Sequence, residues 1–214
     1  MTKYLDLANW SRRELFEFFI DYTDPYFNIC ARVDVAKLVA LVRERNIKIS
    51  LALHYFALRI ANEIEPFRYR LKDREVVVYD VVNGGTTILL PNESFSYAYF
   101  DYQRDFQKFV KDMGKSVADL MAGSGALKPT MRDDVIYHTS LPWISFTSFA
   151  HARNKGRGES IPRFVFGKFM PENDRLMMPI SVEVHHALMD GLHVGRFLSQ
   201  LEDALARPAA FVDK

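Results

Sequence analysis

The chain has 214 residues, 49% hydrophobic and 26% charged, which is typical of a folded globular protein and not of a disordered one. Its 28 Lys and Arg residues nearly balance 27 Asp and Glu residues, and a net charge of +1 gives no electrostatic case for nucleic acid or an anionic membrane as the main partner. The single cysteine, Cys30, excludes an internal disulfide framework and cysteine-rich zinc sites, and it favours a reduced, cytoplasmic protein. Since the sequence has no repeat or flexible linker, we expect a single domain over residues 1–214.

The first third of the chain is predicted to be mainly helical. Ser11 and Glu14 form a capping-box pattern that predicts a helix as far as Tyr22. The segments that follow are a predicted strand, Tyr26–Val33, then a helix with Val35, Leu38, Val39 and Val42 on one face, and then a helix opened by Ser50. Residues 51–64 of this last helix are apolar almost all round, which predicts that it is buried.

The rest of the chain is rich in short strand-like segments. Lys72-Asp73 and Asn83-Gly84-Gly85 are turn signals that predict hairpins. The predicted strands are Phe67–Leu71, Glu75–Tyr79, Thr86–Leu90, Ser94–Phe100, Ile136–Thr139, Trp143–Phe149, Arg163–Phe169 and Leu176–Val184, with helices over Gln103–Met121 and Leu192–Leu205. The uncharged stretch 135–152 is too polar to cross a membrane. Helices combined with hairpin-connected strands predict an α+β or mixed α/β sandwich.

Two adjacent histidines follow the last predicted strand. Along this strand the even positions are apolar and the odd ones polar, so alternation places His186 on the buried face and His185 on the polar face. A buried neutral histidine is a candidate general base, because its ordinary pKa already lies near neutrality.

Less specific roles stand beside this hypothesis. His186 could be a hydrogen-bonded core histidine, and Asp190 precedes the last helix, where aspartate is a favoured N-cap. His185, His186 and His193 could bind a metal, but no regular ligand spacing supports this, and we expect no metal site. The sequence also lacks the glycine-rich motifs of dinucleotide and P-loop sites.

The segment from His185 to Phe197, with its His-His-x-x-x-Asp-Gly motif, resembles the active-site segment of the chloramphenicol acetyltransferase family. The motif alone is shared with dihydrolipoyl acyltransferase cores and some condensation domains. Four further segments also resemble this family: Trp10–Phe18, Leu141–Phe149, Gly167–Phe169 and Asp174–Pro179. The resemblance therefore covers essentially the whole chain, and it implies an α/β two-layer sandwich with a mixed sheet packed against helices.

The resemblance also implies roles for single residues. His186 is the expected general base, and Asp190 is expected to pair with Arg12 and support the histidine loop. An arginine in the first turn of a helix, where the macrodipole disfavours cations, does require a carboxylate partner. Thr139 occupies the position of the family's oxyanion-binding serine. Val165 stands where the family tends to have a threonine, so one hydroxyl near the oxyanion is missing.

The implied binding residues have alternative explanations. Phe18 and Phe19 match the aromatic pair that faces the acceptor, but they could be ordinary core residues. Trp143, Lys168 and Phe169 match the region lining the coenzyme channel; the two aromatics could instead pack in the core, and the lysine could be a surface charge.

The resemblance implies a homotrimer with active sites between subunits, in which one subunit gives the histidine and its neighbour much of the acceptor pocket. The expected function is direct transfer of acetyl from acetyl-CoA, a co-substrate, to a hydroxyl of chloramphenicol, with no bound cofactor. Two alternatives stay open: a related acyltransferase for another small hydroxyl or thiol acceptor, and a catalytically silent protein that binds a small apolar molecule.

Overall fold

A seven-stranded mixed sheet with helices on one face dominates the computed structural model, which describes residues 2–123, 130–153 and 159–213. The helices are α1 (Arg13–Phe19), α2 (Ala36–Glu44), α3 (Ile49–Glu63), α4 (Phe106–Ala122), α5 (Gly191–Ala206) and α6 (Ala209–Val212). The strands are β1 (Thr2–Tyr4), β2 (Tyr26–Asp34), β3 (Tyr69–Lys72), β4 (Glu75–Tyr79), β5 (Asn83–Leu89), β6 (Phe95–Phe100), β7 (Val135–Leu141), β8 (Arg163–Gly167), β9 (Met170–Glu172) and β10 (Arg175–His185). The expected α/β architecture, a mixed sheet packed against helices, is confirmed.

The strand order of the large sheet is β2-β10-β8-β7-β5-β6, with the short β9 also paired to β10. β7 runs parallel to both β5 and β8, and the other pairs are antiparallel. A smaller antiparallel sheet has the order β1-β4-β3, and its β3–β4 hairpin turns at Asp73, which has a φ of 56°. The hairpin predicted at Lys72-Asp73 is therefore confirmed.

The two faces of the large sheet differ in chemistry. Ile180, Val182 and Val184 of β10 face the core, to which α3 contributes an almost fully buried segment over residues 51–61. The opposite face carries the odd-numbered positions of β10, including Ser181 and Glu183, both of which are buried. The period-two pattern of the sequence thus separates an apolar from a polar face, as expected.

Three local predictions were wrong. Trp143–Phe149 is irregular and not a strand: β7 ends at Leu141, Pro142 has no N–H to donate, and Trp143 is exposed. The Asn83-Gly84-Gly85 segment is not a turn but the start of β5. A Cβ at Gly84 would stand 2.2 Å from the Phe100 ring, so this glycine serves close packing.

The third error concerns the first helix. α1 begins at Arg13 with Arg12 as its N-cap, and no side-chain cap is formed there within the described part of the chain. The Ser11–Glu14 capping box is therefore not formed. Arg12 is instead held by contacts with the turn that follows β10.

Candidate active site

The turn that follows β10 presents His186 to an aromatic recess. The imidazole stacks on Phe19, with ring centroids 3.9 Å apart and an interplanar angle of 9°, and it contacts Phe27 at 4.7 Å. Its backbone N–H donates to the carbonyl of Pro25 at 2.6 Å. Its Nδ1 is buried and has no hydrogen-bond partner among the described residues. The His186 side chain is partly exposed, and its ring is held in place by the two phenylalanine rings.

His185 and His186 do lie on opposite sides of the chain, but the prediction that His186 is the more buried one was wrong. His186 packs against Phe27, which pairs with Val184 on the apolar face. His185 lies on the polar face beside Tyr26 and is only 3% exposed. The polar face is itself covered, since Arg153 lies over the Tyr26 ring, whereas β10 ends at His185 and leaves His186 in the turn.

Arg12 and Asp190 clamp the histidine turn. Their side chains form an ion pair in which Arg12 is 12% exposed and Asp190 29% exposed. A second guanidinium nitrogen of Arg12 donates to the carbonyl oxygen of His186 at 3.3 Å. Arg12 therefore connects α1 to both ends of the turn, and the contact expected between these two residues is present.

Asp190 is also the N-cap of α5. Its Oδ1 accepts from the N–H of Leu192 at 3.0 Å, and its own N–H donates to Nδ1 of His193 at 3.1 Å. Burial works to raise the pKa of the Asp190 carboxyl, but His193 and Arg12 outweigh it and hold this pKa below its usual value. The carboxylate is therefore charged at neutral pH, so it can pair with Arg12 and accept the hydrogen bond that caps α5.

The other residues predicted to bind the acceptor lie beside His186. Phe19 is sandwiched between the imidazole and Tyr22, and Phe18 packs edge-on against Phe19 with centroids 4.9 Å apart. Phe18 is 60% exposed, which excludes the core role considered for it. The pair forms an aromatic surface next to the candidate base.

Thr139 lies in a different place, a cavity of about 510 Å³ on the polar face of the sheet. Its neighbours across the sheet are Val165 and, one strand further, Ser181. The aromatic residues that line the cavity are Phe95, Tyr97, Tyr99 and Tyr137. The alternation of aromatic and small residues along β6, Phe-Ser-Tyr-Ala-Tyr, is the signal that could have predicted this aromatic surface.

Charged groups that we did not predict border the same cavity. Glu183 pairs with Arg153 and accepts from Nδ1 of His151 at 3.0 Å, and Arg163 pairs with Glu159 at 2.6 Å. Burial works to raise the pKa of Glu183, but the His151 hydrogen bond and the charge of Arg153 outweigh it, so the pKa is lowered. Glu183 is distant in the sequence from His151 and Arg153, and no motif connects it to them.

The residues predicted to bind the coenzyme lie near the C-terminal end of β8, away from Arg163. Trp143 is 61% exposed, and Lys168 follows β8 and is also exposed. The backbone N–H of Lys168 donates to the carbonyl of Ile144 at 2.9 Å, which joins the Trp143 segment to the end of β8. Phe169 is half-buried and packs at the edge of the core. The exposure of Trp143 excludes the core-packing alternative for this residue.

Within one chain the candidate site residues form two separate groups. One holds His186, Arg12, Asp190, Phe18 and Phe19, and the other holds Thr139 with the coenzyme candidates. Thr139 of β7 is in register with Ser181 of β10, two strands away. His186 lies five residues beyond Ser181, which corresponds to roughly 17 Å along the strand direction. His186 and Thr139 of the same chain therefore cannot contact one reacting group.

A stacked histidine pair is buried on the other face of the sheet and was not predicted. His54 and His138 have centroids 4.8 Å apart, and neither ring nitrogen of His138 has a hydrogen-bond partner in the part of the chain described. Nδ1 of His54 lies 2.5 Å from the Ser50 carbonyl, so it carries the proton, and Nε2 accepts from the Thr86 hydroxyl at 3.0 Å. Burial lowers the pKa of His54 to about 4 and that of His138 as well.

In residues 2–123, 130–153 and 159–213, no three His, Cys, Asp or Glu side chains are grouped so as to hold a metal ion. No helix in the same ranges is both long and apolar enough to cross a bilayer.

The fold resembles that of solved acetyltransferase structures. A solved chloramphenicol acetyltransferase superposes with a TM-score of 0.87 at 30% identity, covering 96% of this chain and 100% of that one. A dihydrolipoamide acetyltransferase from Azotobacter vinelandii, at 18% identity, shares the fold with a TM-score of 0.67, covering 93% of this chain and 88% of its own.

The sequence comparison is more specific. The family model described as chloramphenicol acetyltransferase matches residues 2–202. A chloramphenicol acetyltransferase of Proteus mirabilis is 30% identical over 199 residues, 92% of each chain, and one of Escherichia coli is 29% identical over 199 residues. The chain belongs to the chloramphenicol acetyltransferase family.

Proposed function

We propose that this protein transfers the acetyl group of acetyl-CoA to a hydroxyl of chloramphenicol, with His186 as the general base. The observation that carries the proposal is the clamped histidine turn, in which Arg12 binds both Asp190 and the His186 carbonyl. A fixed imidazole beside an aromatic surface is the arrangement that general-base catalysis on an aromatic acceptor requires. Family membership gives the acetyl donor and the acceptor.

The proposed reaction is a direct transfer. His186 removes the proton of the acceptor hydroxyl while its oxygen attacks the thioester carbonyl of acetyl-CoA. The tetrahedral intermediate then collapses, the carbon–sulfur bond breaks, and the leaving thiolate takes the proton back from the imidazolium. An acetyl ester and CoA thiol are the products. No acyl-enzyme is formed, and the protein's contribution is position, proton transfer and stabilisation of charge.

The oxyanion of the intermediate requires a donor, and we assign this role to the hydroxyl of Thr139. Because Thr139 and His186 of one chain lie far apart, the proposed site combines His186 of one copy with the Thr139 cavity of a second copy. Exposed apolar side chains beside both groups, Phe18 and Trp143, support a covered surface. So does β2, a nine-residue strand at the edge of the large sheet. We propose a homotrimer, the assembly that the family resemblance implies.

Binding roles follow from the same arrangement. We assign acceptor binding to Phe18, whose ring is exposed, and to Phe19, whose ring lies between the imidazole and Tyr22. Trp143, Lys168 and Phe169 lie together near the far end of β8, where a lysine and an exposed indole suit the phosphates and adenine of a coenzyme. Acetyl-CoA enters as a co-substrate and leaves as CoA.

One observation favours a second candidate, transfer to a different small hydroxyl or thiol acceptor. The Thr139 cavity is bordered by Arg153, Arg163 and Glu159, which are charged, as well as by tyrosines. Charged groups beside an acceptor pocket favour a more polar molecule than chloramphenicol. The paired Arg12 and Asp190 argue against the silent alternative, since a binding protein does not require a fixed histidine turn.

The test is release of CoA thiol from acetyl-CoA, followed with a thiol reagent, with product masses measured. Chloramphenicol-dependent release with an acetylated product supports the proposal. Release only with other hydroxyl or thiol compounds supports the second candidate. No release with any acceptor, by a folded protein that binds chloramphenicol, refutes both.

Subunit sharing has its own test. His186→Ala removes the base and Thr139→Trp blocks the cavity, so each variant alone should be inactive. If the site lies between copies of a trimer, random mixing at equal amounts restores about a quarter of wild-type activity, because one site in four combines an intact base with an intact cavity. A monomer by light scattering, or no activity in a mixture shown to contain hybrids, contradicts the shared site.

A further inference from the structure

The turn that carries His186 is closed by the residue before it. The carbonyl oxygen of His185 accepts from the backbone N–H groups of Leu188 at 3.0 Å and Met189 at 3.1 Å. On the opposite side of the turn, Arg12 holds the His186 carbonyl. The position of the candidate base is therefore set by contacts on both sides of the turn.

The side chain of His185 adds a directional contact. Its Nδ1 accepts a hydrogen bond from the backbone N–H of Ala187 at 3.2 Å, immediately after the candidate base. A backbone N–H can only donate, so Nδ1 must be unprotonated and the ring must be neutral with its proton on Nε2. The ring is buried and packs edge-on against Tyr26 with centroids 4.9 Å apart, which leaves it little freedom to rotate.

The surroundings keep this ring in the required form. Burial, with smaller contributions from the nearby Arg153 and His186, lowers the pKa of His185 to about 4. At neutral pH the imidazole is therefore uncharged. Arg153 is itself held by Glu183, and it lies over the Tyr26 ring that contacts His185.

We infer that His185 is a positioning residue: its Nδ1 holds the Ala187 N–H and thereby fixes the orientation of the turn that presents His186. This inference rests on the proposed function of His186 as the base. Ala187, Leu188 and Met189 are fully buried, so packing alone keeps the turn in place. What the hydrogen bond adds is the orientation of the Ala187 peptide, and hence the direction of the preceding side chain.

The expected consequence is catalytic. A displacement of a reacting group by about 1 Å can lower a rate by about 10²-fold. Loss of the Nδ1 acceptor should therefore lower kcat by roughly 10- to 100-fold. The KM for acetyl-CoA should change little, because the substitution alters the histidine turn and none of the residues proposed to bind the coenzyme.

Two matched variants separate this role from simple packing. His185→Asn places an amide oxygen near the position of Nδ1 and keeps the acceptor, whereas His185→Leu has a similar size and lacks any acceptor. Both lose the ring contact with Tyr26, so both should show a similar decrease in Tm. The Asn variant should keep kcat within about 3-fold of wild type, and the Leu variant should show the full loss. Should His185→Leu not fold, His185→Gln replaces it, since its amide lies one bond further out and misses Ala187.

A measurement without substrate completes the test. Hydrogen exchange at the Ala187 amide should stay slow in wild type and His185→Asn and become faster in His185→Leu or His185→Gln. Equal kcat in the acceptor-bearing and acceptor-free variants, or unchanged exchange at Ala187 in both acceptor-free variants, overturns the inference. A wild-type protein that releases no thiol instead contradicts the proposed function, and the exchange measurement still decides whether the His185 side chain holds the Ala187 N–H.

Discussion

The ion pair of Arg12 and Asp190 gives the most quantitative prediction. The informative change at Asp190 is to asparagine, because asparagine is as good an N-cap as aspartate and keeps the contact with the Leu192 N–H. Asp190→Asn therefore removes the charge and leaves the cap of α5 in place. Its partner change is Arg12→Met, which keeps an unbranched side chain of similar reach and removes the guanidinium.

The expected magnitude follows from the burial of the two groups. Removing one partner of a fully buried pair costs about 3–5 kcal/mol, whereas exposed pairs contribute about 0.2–1 kcal/mol. Arg12 at 12% exposure is close to the first case, and Asp190 at 29% is between the two. We therefore expect each single variant to lower the free energy of unfolding by about 2 kcal/mol, of which about 1.5 kcal/mol is shared between them.

The assay is a double-mutant cycle by urea unfolding at pH 7.5 and one fixed protein concentration, together with kcat for each variant. Concentration is held constant because subunit association in the proposed trimer would contribute to stability. The double variant should be little less stable than either single variant, and kcat should fall in all three because the His186 carbonyl loses its donor or the arginine loses its anchor. Effects that add within about 0.5 kcal/mol would refute the coupling.

Two further predictions concern the faces of the sheet. Thr139→Val removes the proposed oxyanion donor and should lower kcat by about 10²–10³-fold with little change in KM, whereas Thr139→Ser should keep or raise kcat. Full turnover in Thr139→Val together with loss of turnover in Ser140→Ala would show that the donor is Ser140. Because folding lowers the pKa of His54 and His138, the unfolded chain takes up protons first as the pH falls below about 6.5, and stability is lost between that pH and the lower folded values. His138→Phe should therefore reduce the loss of unfolding free energy between pH 7.5 and 5.5 by about 1.4 kcal/mol, and a loss as large as that of wild type would contradict this account.

The periodic parts of the sequence predicted the fold well, and the irregular parts did not. The fully apolar helix over residues 51–64 and the alternating strand Leu176–Val184 both appear as expected, because burial on one or all sides leaves a regular signal. Trp143–Phe149 has a strand-like composition but is irregular, since the pairing of β7 ends directly before Pro142, which has no N–H to donate. The sequence suggests that Gly84 is a turn residue, because its close packing against Phe100 is visible only in the folded chain.

The candidate site was likewise predicted only in part. Strand alternation gave the correct face for each of His185 and His186, but it could not tell that the polar face is covered by Arg153. The Arg12–Asp190 contact was expected from the helix dipole and the family resemblance. The polar network around Glu183 was missed, because its members come from separate segments that only the folded chain brings together.

The central claim is that His186 is the base for acetyl transfer, and comparison of wild type with His186→Ala tests it most directly. Thiol release from acetyl-CoA in the presence of chloramphenicol should fall by at least about 10²-fold in His186→Ala, with the circular dichroism spectrum and Tm close to those of wild type. Turnover by the folded variant comparable to that of wild type would contradict the mechanism.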